Sequence, residues 1–239
     1  KAAEQKTPYA CEFDRLSEER FALLTLASSR QKDRTPIEAF LREHPQVADF
    51  CRFMAIKASN GGREWIEWEN DTPDEDVLRT WQFTQYEVYR QWREVKAYAN
   101  EKGISIVGDI PIYVAMDSAD AWANPELFQL DENNVPLAIA GCPPDGFSAI
   151  GQLWGNPLYR WDYHRNTGYA WWMSRLWYCF NMYDVVRIDH FRGFDEYFSI
   201  PANSLKASDG HWEKGPGMEL FRELQRQLGE RGVIAEDLG

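Results

Sequence analysis

The run YDVVRIDHFRGF, residues 183–194, sets an arginine and a carboxylate inside an apolar strand pattern. Val185, Val186 and Ile188 are β-branched, Arg187 and Asp189 alternate with them, and His190 and Arg192 follow. Alternate residues of a strand share a face, so Val185, Arg187 and Asp189 point one way and Val186 and Ile188 the other. A second acid, Glu236, ends the run VIAE. Two carboxylates facing one cleft suit cleavage of a glycosidic bond, in which one attacks the sugar carbon and the other protonates the departing oxygen. The attacking group must stay ionised, and an arginine beside Asp189 favours that. The acid must hold a proton until the bond breaks, and the apolar setting of VIAE favours the neutral form. Strict alternation groups Glu236 with Ile234 rather than Ala235, so a twist or bulge is expected to aim it at Asp189.

These residues need strands to carry them. From residue 104 onward, apolar strands alternate with helices. GISIVGDIPIYV is a strand interrupted by Asp109, and YAWWMSRLWYCFNMY is an apolar-rich helix leading into the run at 183. GMELFRELQRQLGERG is an amphipathic helix, with Leu220, Phe221, Leu224 and Leu228 on one side, that feeds VIAEDLG. Continuous apolar strands separated by helices predict a parallel sheet covered on both faces. Three of the strands, IVGD, VVRIDH and VIAED, end in carboxylates, as active-site residues do at the C-terminal ends of (β/α)8 barrel strands. A buried Arg–Asp pair that serves stability alone is the weaker reading. Such pairs stabilise little, and it leaves the acids of the other two strands unexplained.

The first hundred residues read as helices. Ser17 is expected to cap LSEERFALLTLASSR, with Glu18 and Glu19 in its first turn. TPIEAFLREH has the form of a capping box, Thr35 with Glu38, and Pro36 at the first helical position. A third helix starts at Pro45 and stops at Asn60-Gly61-Gly62. A long amphipathic helix covers EDVLRTWQFTQYEVYRQWREVKAYANEKG, with Phe83, Tyr86, Tyr89, Val95 and Tyr98 on its apolar face and Gly103 as the C′ residue. The predicted organisation is a helical subdomain over 1–80 and part of a (β/α)8 TIM barrel, about strands 3–5, over 81–239, with an active-site loop near 141–157. A barrel usually takes about 250 residues. With three strand–helix units in a chain that begins without Met and stops after a charged strand end, an internal piece of a longer enzyme is expected.

Composition narrows the partners. A net charge of −12 makes a nucleic-acid surface a poor fit. The sequence contains no apolar run as long as a membrane span and no signal-peptide pattern. Cys11, Cys51, Cys142 and Cys179 are scattered without a CxxC, so neither a zinc site nor a disulfide framework is indicated and reduced thiols in the cytoplasm are expected. Aromatic residues make up 15% of the chain and include 11 Trp. That excess serves a core, but it also suits a sugar cleft, because sugar rings pack their C–H faces on aromatic rings.

The chain resembles the 4-α-glucanotransferases, also called amylomaltases or disproportionating enzymes, of the α-amylase clan. The resemblance rests on YRQWREVKAYANEKGISIVGDIPIYVAMDSADAWANPELF, GCPPDGFSAIGQLWGNPLYRW, VVRIDHFRGF and VIAEDLG, in that order, over Trp81 to Gly239. It implies a retaining transfer of α-1,4-glucan segments between maltooligosaccharides, without cofactor or metal. Asp189 matches the nucleophile and Glu236 the general acid/base. Arg187 matches the arginine that orients the nucleophile, and His190 a neighbour that contacts the reacting sugar. Asp109 and Tyr113 match the end of the third barrel strand. Asp145, Phe147 and Trp154 match a loop that folds over the glucan. Cys142 stands where a valine is expected, and Gly146 where a bulkier residue is. A third carboxylate, an aspartate after a histidine, is expected beyond Gly239, so this chain alone is expected to be inactive.

His44, His164 and His211 lack ligand-like spacing and read as structural. A metal-dependent hydrolase on a barrel lacks a second histidine cluster. Trp171, Trp172 and Trp177 belong to a helix that must pack on the sheet and read as core. Trp154 falls among Gly and Asn and reads as a sugar contact. A hydrolase shares both carboxylates, so the pair does not separate it from a transferase. The GCPPDGFSAIGQLWGNP loop favours transfer, because a covering loop excludes water and holds an acceptor. A non-catalytic glucan-binding piece is the third alternative.

Overall fold

The computed structural model describes residues 9–146 and 148–236. The chain divides into two compact units, Lys1–Val88 and Tyr89–Gly239, so the division falls inside a helix rather than at residue 80.

The first unit is helical: α1 (Phe13–Arg30), α2 (Thr35–Glu43), α3 (Pro45–Ser59) and the start of α4 (Glu75–Glu101). Ile37, Phe40, Val47, Cys51, Phe53, Ala55 and Ile56 form its buried face. Two expected caps are replaced. Ser17 lies a turn inside α1. Thr35 is the first residue of α2, and the Asp33 carboxylate accepts the Thr35 N–H at 3.0 Å, so no capping box forms. That hydrogen bond holds the Asp33 carboxyl below its usual range. A charged acceptor two residues ahead of the helix takes the Thr35 N–H that the Glu38 side chain would accept in a capping box, and the Glu38 N–H donates to Arg34 O. At the end of α3, the buried Asn60 amide donates to Ile56 O and Asn70 O and accepts from the N–H groups of Glu69 and Asn70, closing the loop that carries Trp65 and Trp68.

The second unit contains the rest of α4, then β1 (Val107–Pro111), α5 (Ala119–Ala123), β2 (Ala138–Cys142), β3 (Gln152–Pro157), α6 (Trp161–Asn166), α7 (Ala170–Met182), β4 (Val185–Asp189), β5 (Glu196–Pro201), β6 (His211–Lys214), α8 (Met218–Leu228) and β7 (Gly232–Ala235). The strands expected from the sequence, β1, β4 and β7, form a parallel sheet in the order β1-β4-β7. Val186 and Ile188 are fully buried, as are Trp172 and Leu176 of α7 and Leu220 of α8. Burial alternates along β4, so Arg187 and Asp189 share the opposite, more open face.

A second sheet was not foreseen. It is antiparallel, in the order β3-β2-β5-β6, and lies across the segment expected to be a loop at 141–157. Phe198, Ile200 and Ala207 form its core, with Ile139 and Trp212 against them. Most of its strands are short, and β2 is rich in Ala and Gly, so they lack the alternation that marks a strand in sequence.

The distal half of α4 also departs from expectation. Tyr89 is buried, but Val95 and Tyr98 are more than half exposed. A polar stripe at i, i+4 and i+8 docks instead. Trp92 Nε1 donates to Met182 O at 2.7 Å, Lys96 Nζ to Tyr183 O at 2.9 Å, and Asn100 Nδ2 to the Asp184 carboxylate at 2.8 Å. Lys96 thus neutralises the carbonyl end of α7, where the helix dipole favours a cation. Asp184 also accepts the Ile106 N–H at 2.8 Å, and this is the main reason its carboxyl lies below the usual range. Gly103 has φ of +73°, the left-handed conformation that a C′ glycine supplies. Among the described residues no helix is long and apolar enough to cross a membrane.

His164 is fully buried among Tyr159, Trp161 and Trp171, with Nε2 donating to Leu127 O at 3.2 Å. Burial depresses its pKa from 6.5 to about 4. Below pH ~6.5 the unfolded chain takes up a proton that the native state refuses, so stability falls between pH ~6.5 and ~4 and no further from this source below that. The loss reaches about 3 kcal/mol at most, from about 1.4 kcal/mol per pH unit. His164→Gln keeps an N–H for Leu127 and cannot titrate. Denaturant melts at about pH 7 and about pH 4.5 should show an acid loss smaller by about 2 kcal/mol in the variant than in the parent. Equal losses in both proteins would remove His164 from the account.

Candidate active site

The register of the parallel sheet assembles the charged group. Asp109 of β1 pairs with Arg187 of β4, and Arg187 pairs with Ile234 of β7. Paired residues of parallel neighbours share a face, so Asp109, Arg187 and Asp189 lie together. Glu236 follows two residues after Ile234, and its N–H donates to Ile188 O at 3.2 Å, extending the ladder by one step. The same alternation therefore carries Glu236 to the Asp189 side. The expected twist or bulge is not needed, because Ile234 itself faces the Arg187 side.

Arg187 is the hub. Nη1 donates to Asp109 Oδ1 at 2.7 Å and Nη2 to Asp189 Oδ1 at 3.0 Å, while Nη2 also lies 3.0 Å from Glu236 Oε1. The hydrogen bond to Asp109 is the largest cause raising the Arg187 pKa above its ordinary value, and Asp189 and Glu236 add to it. The Asp109 side chain is 63% exposed, Asp189 49% and Glu236 20%, so the acids stand in an accessible cleft at graded depth. Two oxygens that each lie 3.0 Å from one nitrogen are at most twice that distance apart. Asp189 Oδ1 and Glu236 Oε1 are thus no more than about 6 Å apart, so the two carboxylates face the same space.

His190 links this group to an aromatic wall. Its backbone is left-handed, φ 52° and ψ 48°, a conformation that costs a non-glycine residue about 1–2 kcal/mol. The turn delivers its N–H to Glu236 Oε2 at 2.7 Å, and the Phe191 N–H to Glu236 O at 3.0 Å. It also buries the imidazole edge-on to Trp154, ring centres 4.9 Å apart, with Tyr113 6.4 Å from it. Tyr113 and Trp154 are 6.2 Å apart. Burial pushes the Tyr113 phenol above its ordinary pKa, so it remains a protonated donor. Gly193 makes the close packing possible. A Cβ there would stand 2.8 Å from Ile112 Cδ1 and 3.4 Å from the Tyr113 hydroxyl.

Asp109, Tyr113, Trp154, Arg187, Asp189, His190 and Glu236 therefore converge. Trp154 sits on β3 rather than in a loop, half-buried, with Nε1 donating to Gln152 Oε1. Asp145 is exposed on the connection between β2 and β3, where its Oδ1 accepts the Ser148 N–H at 2.7 Å and its own N–H donates to Ser148 O. Phe147 lies outside the described residues. Cys142 is half-buried, and burial, then the charge of Asp145, pushes its thiol up. Trp172 is core, as expected, whereas Trp171 is only partly buried and donates to Asp120. Among the described residues no group of three or more His, Cys, Asp or Glu is arranged to hold a metal ion. Sequence reasoning passed over Asn156, Tyr159 and Arg175, which hold the segment bearing Tyr113. The lone cation in AWWMSRLWYCF was the available hint.

Known proteins resemble this chain in sequence and fold. The family model described as 4-alpha-glucanotransferase matches residues 1–239. A 4-alpha-glucanotransferase of Streptococcus pneumoniae is 49% identical over 208 residues, 80% of this chain and 40% of the relative. One from Clostridium butyricum is 42% identical over 223 residues, 87% of this chain and 46% of the relative. The chain thus spans less than half the length of these curated relatives. The structure of the Streptococcus agalactiae amylomaltase in complex with acarbose superposes with a TM-score of 0.91 at 42% identity, over 98% of this chain and 51% of that one. The β1-β4-β7 sheet is accordingly part of a (β/α)8 barrel. With the family model spanning its whole length, the chain belongs to the 4-alpha-glucanotransferase family.

Proposed function

We propose that the protein containing this chain transfers α-1,4-glucan segments between maltooligosaccharides by double displacement. One observation carries the reading: a single Arg187 nitrogen lies 3.0 Å from both Asp189 and Glu236, which draws the two carboxylates together as a nucleophile and an acid/base acting on one bond must be. Asp189 attacks the anomeric carbon of the donor and forms a glucosyl ester. Glu236 gives its proton to the departing glycosidic oxygen, which leaves with the shortened glucan. A second glucan enters, Glu236 takes the proton of its hydroxyl, and that oxygen displaces Asp189. The α configuration is restored, and the enzyme returns to its starting protonation state. Arg187 and the His190 N–H keep both carboxylates in place between the two steps.

The aromatic wall supports glucan as the substrate. Trp154 and Tyr113 offer ring faces to the C–H face of a sugar, and Asp109 and His190 offer polar partners to its hydroxyls. The β2–β3 hairpin bears Trp154 and Asp145. A hairpin over the glucosyl ester favours an acceptor sugar over water. An amylomaltase 42% identical to this chain was solved with acarbose bound, and the relatives carry the transferase name. The four free thiols suit a reducing compartment such as the cytoplasm.

Maltotriose incubated with the full-length protein should yield both longer and shorter glucans on a chromatogram. Glucose and maltose alone would mean hydrolysis. Asp189→Asn should lower transfer by at least about a thousandfold with little change in melting temperature. Retained activity in that variant would move the nucleophile elsewhere.

Trp154 supplies a separate test. Glucan binding should change intrinsic fluorescence, and Trp154→Phe should remove most of that change at a stability cost below about 1.5 kcal/mol. An unchanged optical response together with a large loss of stability would return Trp154 to the core.

A further inference from the structure

The segment that carries Tyr113 is held through its own carbonyls by three side chains from different places in the chain. Arg175 of α7 donates from Nη2 to Pro111 O at 2.7 Å and from Nη1 to Ile112 O at 3.2 Å. The Tyr159 hydroxyl donates to the same Ile112 O at 2.7 Å. Asn156 Nδ2 donates to Val114 O at 2.8 Å. Carbonyls on both sides of Tyr113 are thus fixed by side chains beyond the point where the β1 ladder ends at Pro111.

The donors are themselves immobilised. The Arg175 guanidinium lies 5.3 Å from the Trp171 ring centre and 5.0 Å from that of Trp172. Cation–π contacts of this kind restrain the guanidinium while its N–H groups donate to the carbonyls. Tyr159 is fully buried and stacks on the Tyr113 ring, centres 6.0 Å apart and planes 21° apart. Asn156 is two residues from Trp154 on β3, so one strand both presents the Trp154 ring and pins the backbone beside Tyr113.

We propose that Arg175 is a positioning residue for glucan binding: through Pro111 and Ile112 it holds Tyr113 against Trp154 and His190, with Tyr159 and Asn156 as the other members of the clamp. This rests on the proposed transfer reaction. Arg175 has no role in the bond-making steps, which belong to the group around Arg187. Its loss therefore weakens glucan binding in ground and transition states alike, and that appears in KM rather than kcat. Lysine is only a partial replacement, because an ammonium does not reproduce a planar fork reaching two carbonyls at once.

The test uses the full-length enzyme with maltotriose at a temperature well below its melting point. Arg175→Met should raise KM about tenfold while kcat changes by less than about threefold, and Arg175→Lys should fall between it and the parent. Asn156→Ala and Tyr159→Phe release other carbonyls of the same segment and should shift KM the same way, which keeps the test open if Arg175→Met does not fold. A lower melting temperature with KM unchanged across the variants would overturn the clamp and leave Arg175 a purely structural residue, as would a fall in kcat at constant KM. In either case a parent enzyme that disproportionates maltotriose leaves the proposed function standing. A parent that neither binds nor converts maltotriose would overturn both.

Discussion

The candidate site depends on one guanidinium that reaches three strands. Arg187 touches Asp109 of β1, Asp189 of its own strand and Glu236 just past β7. This requires the β1-β4-β7 register, in which Asp109 and Ile234 sit level with Arg187. A slip of one residue in either neighbour would turn its acid to the opposite face. Register in turn is enforced by burial, since Val186 and Ile188 must stay on the covered side. The ion pairs themselves are partly exposed and contribute little to stability. What they supply is position, two carboxylates held beside one guanidinium, as the proposed transfer needs.

A second constraint joins charge to shape. His190 accepts a left-handed backbone so that its N–H meets Glu236 and its ring meets Trp154. Strain of this kind persists only where the surroundings fix it, and Gly193 leaves the room that Ile112 and Tyr113 fill. The carboxylate group and the aromatic wall are therefore coupled through a single residue. The antiparallel sheet makes the coupling possible by bringing Trp154 in on β3, and the carbonyl clamp fixes Tyr113 opposite.

Much of this was legible in the sequence. The strands ending at Asp109, Asp189 and Glu236 announced themselves by apolar runs that stop in acid, and the helices between them by apolar periodicity. What could not be read was whatever depended on partners distant in sequence. Val95 and Tyr98 complete an apolar stripe on paper, yet α4 docks through Trp92, Lys96 and Asn100, because the exposed carbonyls at the end of α7 and the Asp184 carboxylate offer hydrogen bonds that periodicity cannot reveal. Thr35 has the form of a cap, yet the helix starts at Thr35 itself and its N–H goes to Asp33. The antiparallel sheet was hidden because AIAGC and HWEK have no strand alternation, and their pairing comes from β5 between them. Glu236 was read with the right parity but without its neighbour's register, so a bulge was expected where none was needed.

In the proposed reaction Asp189 forms a glucosyl ester while Glu236 serves as acid and then base. The most direct test is to treat the full-length Glu236→Gln enzyme with an α-glucosyl fluoride, whose leaving group needs no proton, and to map the protein by mass spectrometry. Attack then proceeds, but release is slow without the base. A glucosyl adduct is expected on the peptide containing Asp189, and none when Asp189→Asn is added. An adduct on another carboxylate, or turnover to a β-configured product with no adduct, would contradict it.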